Sequence, residues 1–218
     1  MQLNNYLLAV DRRDENSLEI PEIAVEKNSI AKAFDSLFET YTRNDLQVRN
    51  ILASKEFENY CKLLRKKSPQ MDENEILTCI KVLSRLKVKT NNKLMQQLLH
   101  LLKDNINNLS LSQLAFFNLL LSNMDPPTPL TEALKIAIPM IFNLHIAEQI
   151  DHENPEEVQK IFHHVTMTDM KVGTPALMNI ISSLALHGTT HSVDTTISIL
   201  MSITRLPTHV LQEPATLK

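Results

Sequence analysis

Glycine is scarce in this chain: Gly173 and Gly188 are its two glycines among 218 residues, where an average composition would supply about 15. Glycine is needed where backbone approaches a phosphate group or turns sharply. The shortage therefore excludes a P-loop, a dinucleotide-binding G-x-G-x-x-G loop, a kinase glycine-rich loop and a G-x-S-x-G nucleophile elbow. Since Trp is absent and aromatic residues make up 5% of the chain, the composition favours an all-α fold over a β-sandwich or barrel.

An internal echo predicts how the helices are organised. Residues 74–86 align with residues 112–124 at a constant offset of 38. Apolar residues coincide at Ile76 and Leu114, Val82 and Leu120, Leu83 and Leu121, and Leu86 and Met124. Ser84 meets Ser122, where we expect a small side chain to let helices pack closely. Each segment leads into a second predicted helix, over residues 93–103 and residues 130–144, so we predict an α-solenoid of helix-turn-helix repeats of about 38 residues.

Further helices are predicted on both sides of the echo. Apolar residues follow helical spacing after Ser29, a potential N-cap, and again within residues 50–64. Downstream we predict one helix over residues 155–165 and a pair over residues 175–186 and 193–205. Three regions are expected: a poorly ordered acidic lead-in (1–27), a helical-repeat domain (28–206) and a tail (207–218).

Basic residues are concentrated in one block although the formal net charge is −3. Residues 62–93 carry nine basic and three acidic side chains, whereas the segments before and after are both acidic. We expect Lys81 and Arg85 on the exposed side of one helix, Lys87 and Lys89 in the turn after it, and Lys93 at the start of its partner. On a solenoid these side chains would gather at one edge and contact phosphates. A solvated face that keeps the protein soluble explains the block equally well.

A second basic cluster precedes this one. It consists of Lys62, Arg65, Lys66 and Lys67. These residues end the helix predicted over residues 50–64, where basic side chains suit the negative end of the helix dipole. We expect the cluster to extend the phosphate-contacting edge.

The histidines do not form a recognisable metal site. His163 and His164 are adjacent, so on a helix their side chains diverge by about 100°. His187 and His191 are four residues apart, but Gly188 lies between them and interrupts the helix that would align them. Neither pair has a carboxylate at the spacing of an H-E-x-x-H site. We therefore predict no metal and no other cofactor.

Catalytic nucleophiles are not expected either. Cys61 and Cys79 lie within apolar helical patterns and are interpreted as small core residues in a reducing compartment. The adjacent carboxylates Asp72 and Glu73 begin a predicted helix, as do those at 156 and 157, where they complement the dipole. The sequence thus predicts no catalytic residue, and we expect a protein that is not an enzyme.

The sequence is not expected to contain a membrane span. Its longest apolar run, residues 130–144, is interrupted by Glu132, Lys135 and Pro139. The N-terminus carries Asp11, Asp14 and other acidic residues, so it lacks the character of a mitochondrial transit peptide.

Three passages resemble the N-terminal helical region of the FASTK family, the Fas-activated serine/threonine kinase relatives of mitochondria. They are ILASKEFENYC at residues 51–61, MDENEILTCIKVLSRL at residues 71–86, and LSLSQLAFF at residues 109–117 followed by PLTEALKIAIP at residues 129–139. Together the passages and their surroundings cover about residues 45–205. The likeness is one of leucine-rich helix pairs.

The resemblance implies a helical-repeat protein of the mitochondrial matrix that binds single-stranded RNA, or acts as a scaffold, in RNA processing, stability or translation. Its expected partners are mitochondrial transcripts and other RNA-processing proteins. Family members are longer and carry a C-terminal RAP domain that looks like a nuclease fold. Because this chain ends before such a domain, we expect a fragment, a short isoform or an incomplete gene model. No kinase motif is present in the sequence, so kinase activity is not transferred from the family name.

Two other hypotheses remain open from the sequence. A HEAT- or armadillo-like module would bind a partner helix or peptide, without RNA. A metal-dependent hydrolase would use His163, His187 or His191 and would require bound metal.

Overall fold

The computed structural model describes Asp35 and residues 48–168, 170–186 and 192–206. Within these residues the regular structure is helical and includes no strand, so the all-α prediction is confirmed. The helices are α1 (Val48–Ala53), α2 (Lys55–Lys67), α3 (Glu73–Arg85), α4 (Lys93–Asp104), α5 (Leu111–Ser122), α6 (Pro129–Gln149), α7 (Pro155–Thr166), α8 (Thr174–Leu186) and α9 (Val193–Ile203). Short 3-10 helices occupy Ser68–Gln70 and Ile106–Asn108. The predicted lead-in and tail, the N-cap at Ser29, and both His187 and His191 lie outside the described residues.

From α2 onward the helices pack in two layers. In the first layer α3, α5, α7 and α9 each pack on the next, and in the second layer α2, α4, α6 and α8 do the same. Contacts between the layers join α3 to α4, α5 to α6 and α7 to α8. The sequence predicts that the last two helices pair with each other. Instead, α8 packs on α6 and α7, and α9 packs on α7 as the next helix of the first layer.

The echo of 38 residues extends to the helix caps. The Asp72 side chain accepts a hydrogen bond from Glu75 N at 2.8 Å, and the Glu75 side chain accepts one from Asp72 N at 3.2 Å. Ser110 and Gln113 repeat this capping box at the start of α5. Each box satisfies backbone N–H groups that would otherwise lack partners in the first turn. Both helices of the echo therefore begin by the same local mechanism.

The apolar positions of the echo are buried in both copies. All eight aligned side chains, at Ile76, Val82, Leu83, Leu86, Leu114, Leu120, Leu121 and Met124, belong to one continuous core. The small-residue expectation is wrong at Ser122, which is exposed and donates its hydroxyl to Leu119 O at 2.8 Å. Ser122 thus binds its own helix instead of allowing another helix to approach.

The helix predicted over residues 50–64 is divided at Ser54. Its hydroxyl accepts a hydrogen bond from Phe57 N at 3.1 Å and donates to Ile51 O at 2.8 Å. The residue has an extended ψ of 146° and acts as the N-cap of α2. Serine side chains compete with backbone groups in this way, and the apolar spacing alone does not reveal it.

The helix predicted over residues 130–144 is present as α6 and extends beyond that range. The helix runs for 21 residues with Pro139 buried inside it. Asn143 supports this region because its side-chain amide donates to Pro139 O at 2.7 Å and to Lys171 O at 3.1 Å. By length and composition α6 could cross a membrane. The same test is met by core helices, and Leu134, Ile138 and Phe142 are among the buried core residues.

Candidate functional site

The end of α3 has an unusual backbone conformation for a lysine. Lys87 has a φ of 54°, and it is the one non-glycine residue with positive φ among the described residues. Lys87 N donates to Ser84 O at 2.9 Å, and Val88 N donates to Leu83 O at 3.0 Å. This pair of hydrogen bonds is a Schellman motif, in which the left-handed position is usually occupied by glycine. A lysine therefore occupies a position where glycine would be favoured.

The turn that contains Lys87 is held firmly by backbone contacts. Thr90 N donates to Asp125 O at 3.2 Å, which joins this turn to the one between α5 and α6. Gln96 of α4 donates its side-chain amide to Thr90 O at 2.8 Å. Lys87 and Lys89 are exposed on the turn. The structure thus presents these two charges from a fixed segment of chain.

The basic end of α2 lies near the start of α4. The Gln97 side chain donates to Arg65 O at 2.9 Å and to Ser68 Oγ at 2.8 Å, so the end of α2 lies against α4. Lys93 is one helical turn before Gln97, a rise of about 6 Å. Both Arg65 and Lys93 are exposed. We define the basic surface as Arg65, Lys66, Lys67, Arg85, Lys87, Lys89 and Lys93.

Two of the predicted phosphate contacts are engaged in ion pairs. Lys81 was expected on the exposed side of α3, but its Nζ lies 2.8 Å from Asp35 Oδ2 and its side chain is 25% exposed. Asp35 therefore contacts α3 at this position, which the local pattern of α3 does not reveal. Lys62 lies 2.8 Å from Glu58 on the same helix, with both side chains about two-thirds exposed. Lys81 is therefore left out of the basic surface, and Lys62 is compensated on α2.

The two cysteines have the properties of core residues. Burial raises the pKa of Cys79 to about 12, with smaller contributions from Glu75 and Asp35. Burial, followed by the nearby Glu58, raises the pKa of Cys61 to about 11. Both are free thiols. Because the thiolate is the reactive form, neither side chain is activated for nucleophilic attack at neutral pH.

A cleft of about 240 Å³ opens between three helices of the first layer. Its lining includes Asn74 and Thr78 from α3, Gln113 and Phe116 from α5, and Lys160 and His164 from α7. The Gln113 amide donates to Asn74 Oδ1 at 2.9 Å and joins α3 to α5. The rings of Phe116 and His164 are 5.2 Å apart between centroids and tilted by 38°. We call this feature the first-layer cleft.

His164 is neutral at physiological pH. Burial lowers its pKa to about 4, and the neighbouring His163 and Lys160 add to the shift. The rings of His163 and His164 are tilted by 58° with centroids 5.9 Å apart. In the described part of the chain, no group of three His, Cys, Asp or Glu side chains is arranged to hold a metal ion. At neutral pH the cationic side chain in the cleft lining is Lys160.

Neither the apolar spacing nor the charge pattern of the sequence predicts the cleft. Phe116 and His164 reach it from α5 and α7, outside the basic block. A signal was present in the echo, because Phe116 aligns with Thr78 at the offset of 38. An aromatic residue thus occupies a partly buried position where the equivalent helix has a polar one.

The chain matches no protein-family model, no curated protein and no solved structure.

Proposed function

We propose that this chain is an α-solenoid that binds single-stranded RNA through the basic surface, without catalysing a reaction, in mitochondrial RNA metabolism. The resemblance to the FASTK family supplies the biological setting, with mitochondrial transcripts as the RNA and the matrix as the location. The structure supports the proposal through its layered packing and through the placement of its positive charges.

The layered packing favours a solenoid. Each helix of the first layer packs on the next, as does each helix of the second, which is how neighbouring repeats cover one another in a solenoid. The starts of α3 and α5 are 38 residues apart, as are the starts of α7 and α9. The interval between α5 and α7 is longer because α6 has 21 residues. The proposed repeat thus has a common plan and a variable length.

The left-handed backbone conformation of Lys87 is the main support for the RNA-binding proposal. A non-glycine residue in the left-handed region is disfavoured by about 1 kcal/mol, and such residues cluster at functional sites. Here the disfavoured conformation places a cation on the same turn as Lys89, close to Lys93 at the start of α4. A surface of this kind would neutralise several phosphates and release their counterions.

The test is fluorescence anisotropy of a labelled single-stranded RNA over a series of salt concentrations. Replacing Lys87, Lys89 and Lys93 with Glu should weaken binding at least tenfold. The slope of log affinity against log salt should become shallower by about 2, because each lost phosphate contact removes about 0.7 for a single strand.

A charge-matched variant provides the control. Lys55, Lys103 and Lys171 are exposed lysines outside the basic surface, and replacing all three with Glu changes the net charge equally. This variant should keep most of the affinity and the original slope. Equal losses in the two triple variants would show that net charge alone drives binding, and no binding by the unmodified chain at low salt would refute the proposal.

A protein-binding module is the second candidate, and one observation favours it. Ile136, Met140 and Leu144 are 68%, 62% and 73% exposed and follow one another along α6. An apolar stripe at this spacing suits a partner helix packed in a groove. Under this alternative, replacing the three residues with Ser would abolish capture of a cross-linked partner at high salt, whereas the RNA-binding proposal predicts unchanged RNA affinity.

A further inference from the structure

The first-layer cleft and part of the basic surface lie on the same face of α3. Asn74, Thr78, Lys81 and Arg85 follow one another at spacings of four, three and four residues, which places them on one stripe of the helix. Asn74 and Thr78 line the cleft, and Arg85 lies about 10 Å farther along the axis. Lys81 lies between them in its ion pair with Asp35, so a nucleic-acid strand held by the turn after α3 would pass beside this pair to reach the cleft.

The cleft combines an aromatic ring with polar groups and a cation. Phe116 is partly buried, and its ring is held against His164, so it offers a preformed surface. Asn74 Oδ1 is occupied by Gln113, which holds the Asn74 amide in place at the cleft. Lys160 is exposed on α7. A nucleotide fits this combination, because its flat base can contact the aromatic ring and its anionic phosphate can contact the cation.

We infer that the first-layer cleft is a base-stacking subsite for single-stranded RNA, in which a nucleobase stacks on Phe116 while Lys160 contacts a neighbouring phosphate. The inference rests on the proposed function, and it adds a second RNA-binding site that is separate from the basic surface. A volume of about 240 Å³ suits one ring system. Stacking on an aromatic side chain accepts any base, because every base has a π-face.

Two oligoribonucleotides of equal length test the inference. One carries all its bases, and the other has abasic sites along its central part, so that the phosphates are retained and the stacking groups are removed. The unmodified chain should bind the complete oligomer about tenfold more tightly than the abasic one, since stacking of one base contributes about that factor. Phe116→Leu should abolish this preference while keeping an apolar side chain at the partly buried position.

Further variants separate stacking from packing and from charge. Phe116→Trp retains an aromatic ring and should preserve the preference for the complete oligomer. Lys160→Ala should weaken both oligomers by the same factor, because it removes a phosphate contact. The folded state of each variant is checked by its circular dichroism and by its urea midpoint.

The outcomes distinguish this inference from the proposed function. If Phe116→Leu is folded, binds RNA and keeps the full preference for bases, the stacking subsite is refuted and RNA binding through the basic surface stands. If the unmodified chain binds both oligomers equally, the subsite is refuted as well. If it binds neither oligomer, the proposed function fails and the subsite fails with it.

Discussion

The turn between α3 and α4 differs from the turn between α5 and α6, although the helices that precede them are built alike. Both helices begin with a capping box and bury the same aligned positions. The first turn then continues through a left-handed Lys87 and carries Lys89. The second begins at Asn123, with a φ of −97°, and carries Asp125. One turn is basic and the other is acidic.

This difference shows which positions of the two units are constrained by packing. Capping and core residues are repeated because each helix must satisfy its first N–H groups and bury its apolar face. The turns are solvent-exposed, so their charge can diverge without disturbing the core. They remain joined by the hydrogen bond from Thr90 N to Asp125 O. The likeness therefore concerns stability, and the difference concerns the charge of the surface.

The largest expected effects are on stability, and they test whether α3 and α5 are packed alike. Leu83 and Leu121 occupy aligned positions and are both fully buried. Replacing either with Ala should lower the free energy of unfolding by about 3 kcal/mol, because each change removes buried methyl groups and leaves a cavity. Urea denaturation of the two variants measures the effect.

An exposed leucine serves as the control for this pair. Leu144 is 73% exposed, so Leu144→Ala should change the free energy of unfolding by less than about 0.5 kcal/mol. A difference of more than about 1.5 kcal/mol between Leu83→Ala and Leu121→Ala would break the comparison, since the two positions would then not be equivalent in packing.

An intermediate effect is expected from pH, which should act on the contact of α5 with α7 and not on that of α5 with α3. The folded protein holds the pKa of His164 at about 4, against an ordinary value of 6.5. The unfolded chain therefore binds this proton more readily. The stabilisation from neutral His164 is fully present above pH 6.5 and is lost as the pH falls towards 4, by on the order of 1 kcal/mol for a side chain that is only partly buried.

Urea denaturation at pH 7 and pH 5 measures this loss. His164→Asn should reduce the difference between the two pH values, whereas His100→Asn, a change at an exposed histidine of α4, should leave it intact. An unchanged difference in the His164 variant would assign the pH dependence to other groups. Hydrogen exchange should show the acid effect in α7 before it reaches α3.

The smallest expected effect sharpens the contrast between the turns. Lys87→Gly should raise the free energy of unfolding by about 0.5 to 1 kcal/mol, because glycine adopts a positive φ without steric conflict. The same change should weaken RNA binding by removing one cation. Stability and affinity would thus move in opposite directions, which urea denaturation and fluorescence anisotropy measure together.

Lys89→Gly is the matched control, since Lys89 lies in the same turn without a positive φ. It should weaken RNA binding similarly but give no gain in stability. If Lys87→Gly also gives no gain, the left-handed conformation is not a source of strain, and the main support for a functional role of Lys87 is removed.

Much of the fold could be predicted from the sequence because its signals are local. The apolar spacing predicted α3, α4, α5 and α7 to within a few residues, since a helix buries every third or fourth side chain. Where the prediction failed, a single side chain competed with that spacing. Ser54 divided one helix by capping the next.

A smaller part of the candidate site could be predicted from the sequence. The exposed charges of the turn after α3 follow from their place between two helices, so Lys87, Lys89 and Lys93 lie where the sequence predicted them. The left-handed φ of Lys87 was not predicted, because lysine is not one of the residue types that favour a positive φ. The cleft was missed because its residues come from three helices spread over 90 positions, from Asn74 to His164.

The sequence by itself determined the helical class, the capping boxes, the buried echo and the basic block, because each depends on residues within a few positions of one another. The tertiary structure alone decided that Lys81 is paired and which side chains share a cleft. Lys81 is paired because Asp35, 46 residues earlier, reaches it. Phe116 meets His164 because α7 packs on α5. Such contacts depend on how helices distant in the chain are stacked, and the spacing within any one helix carries no information about that.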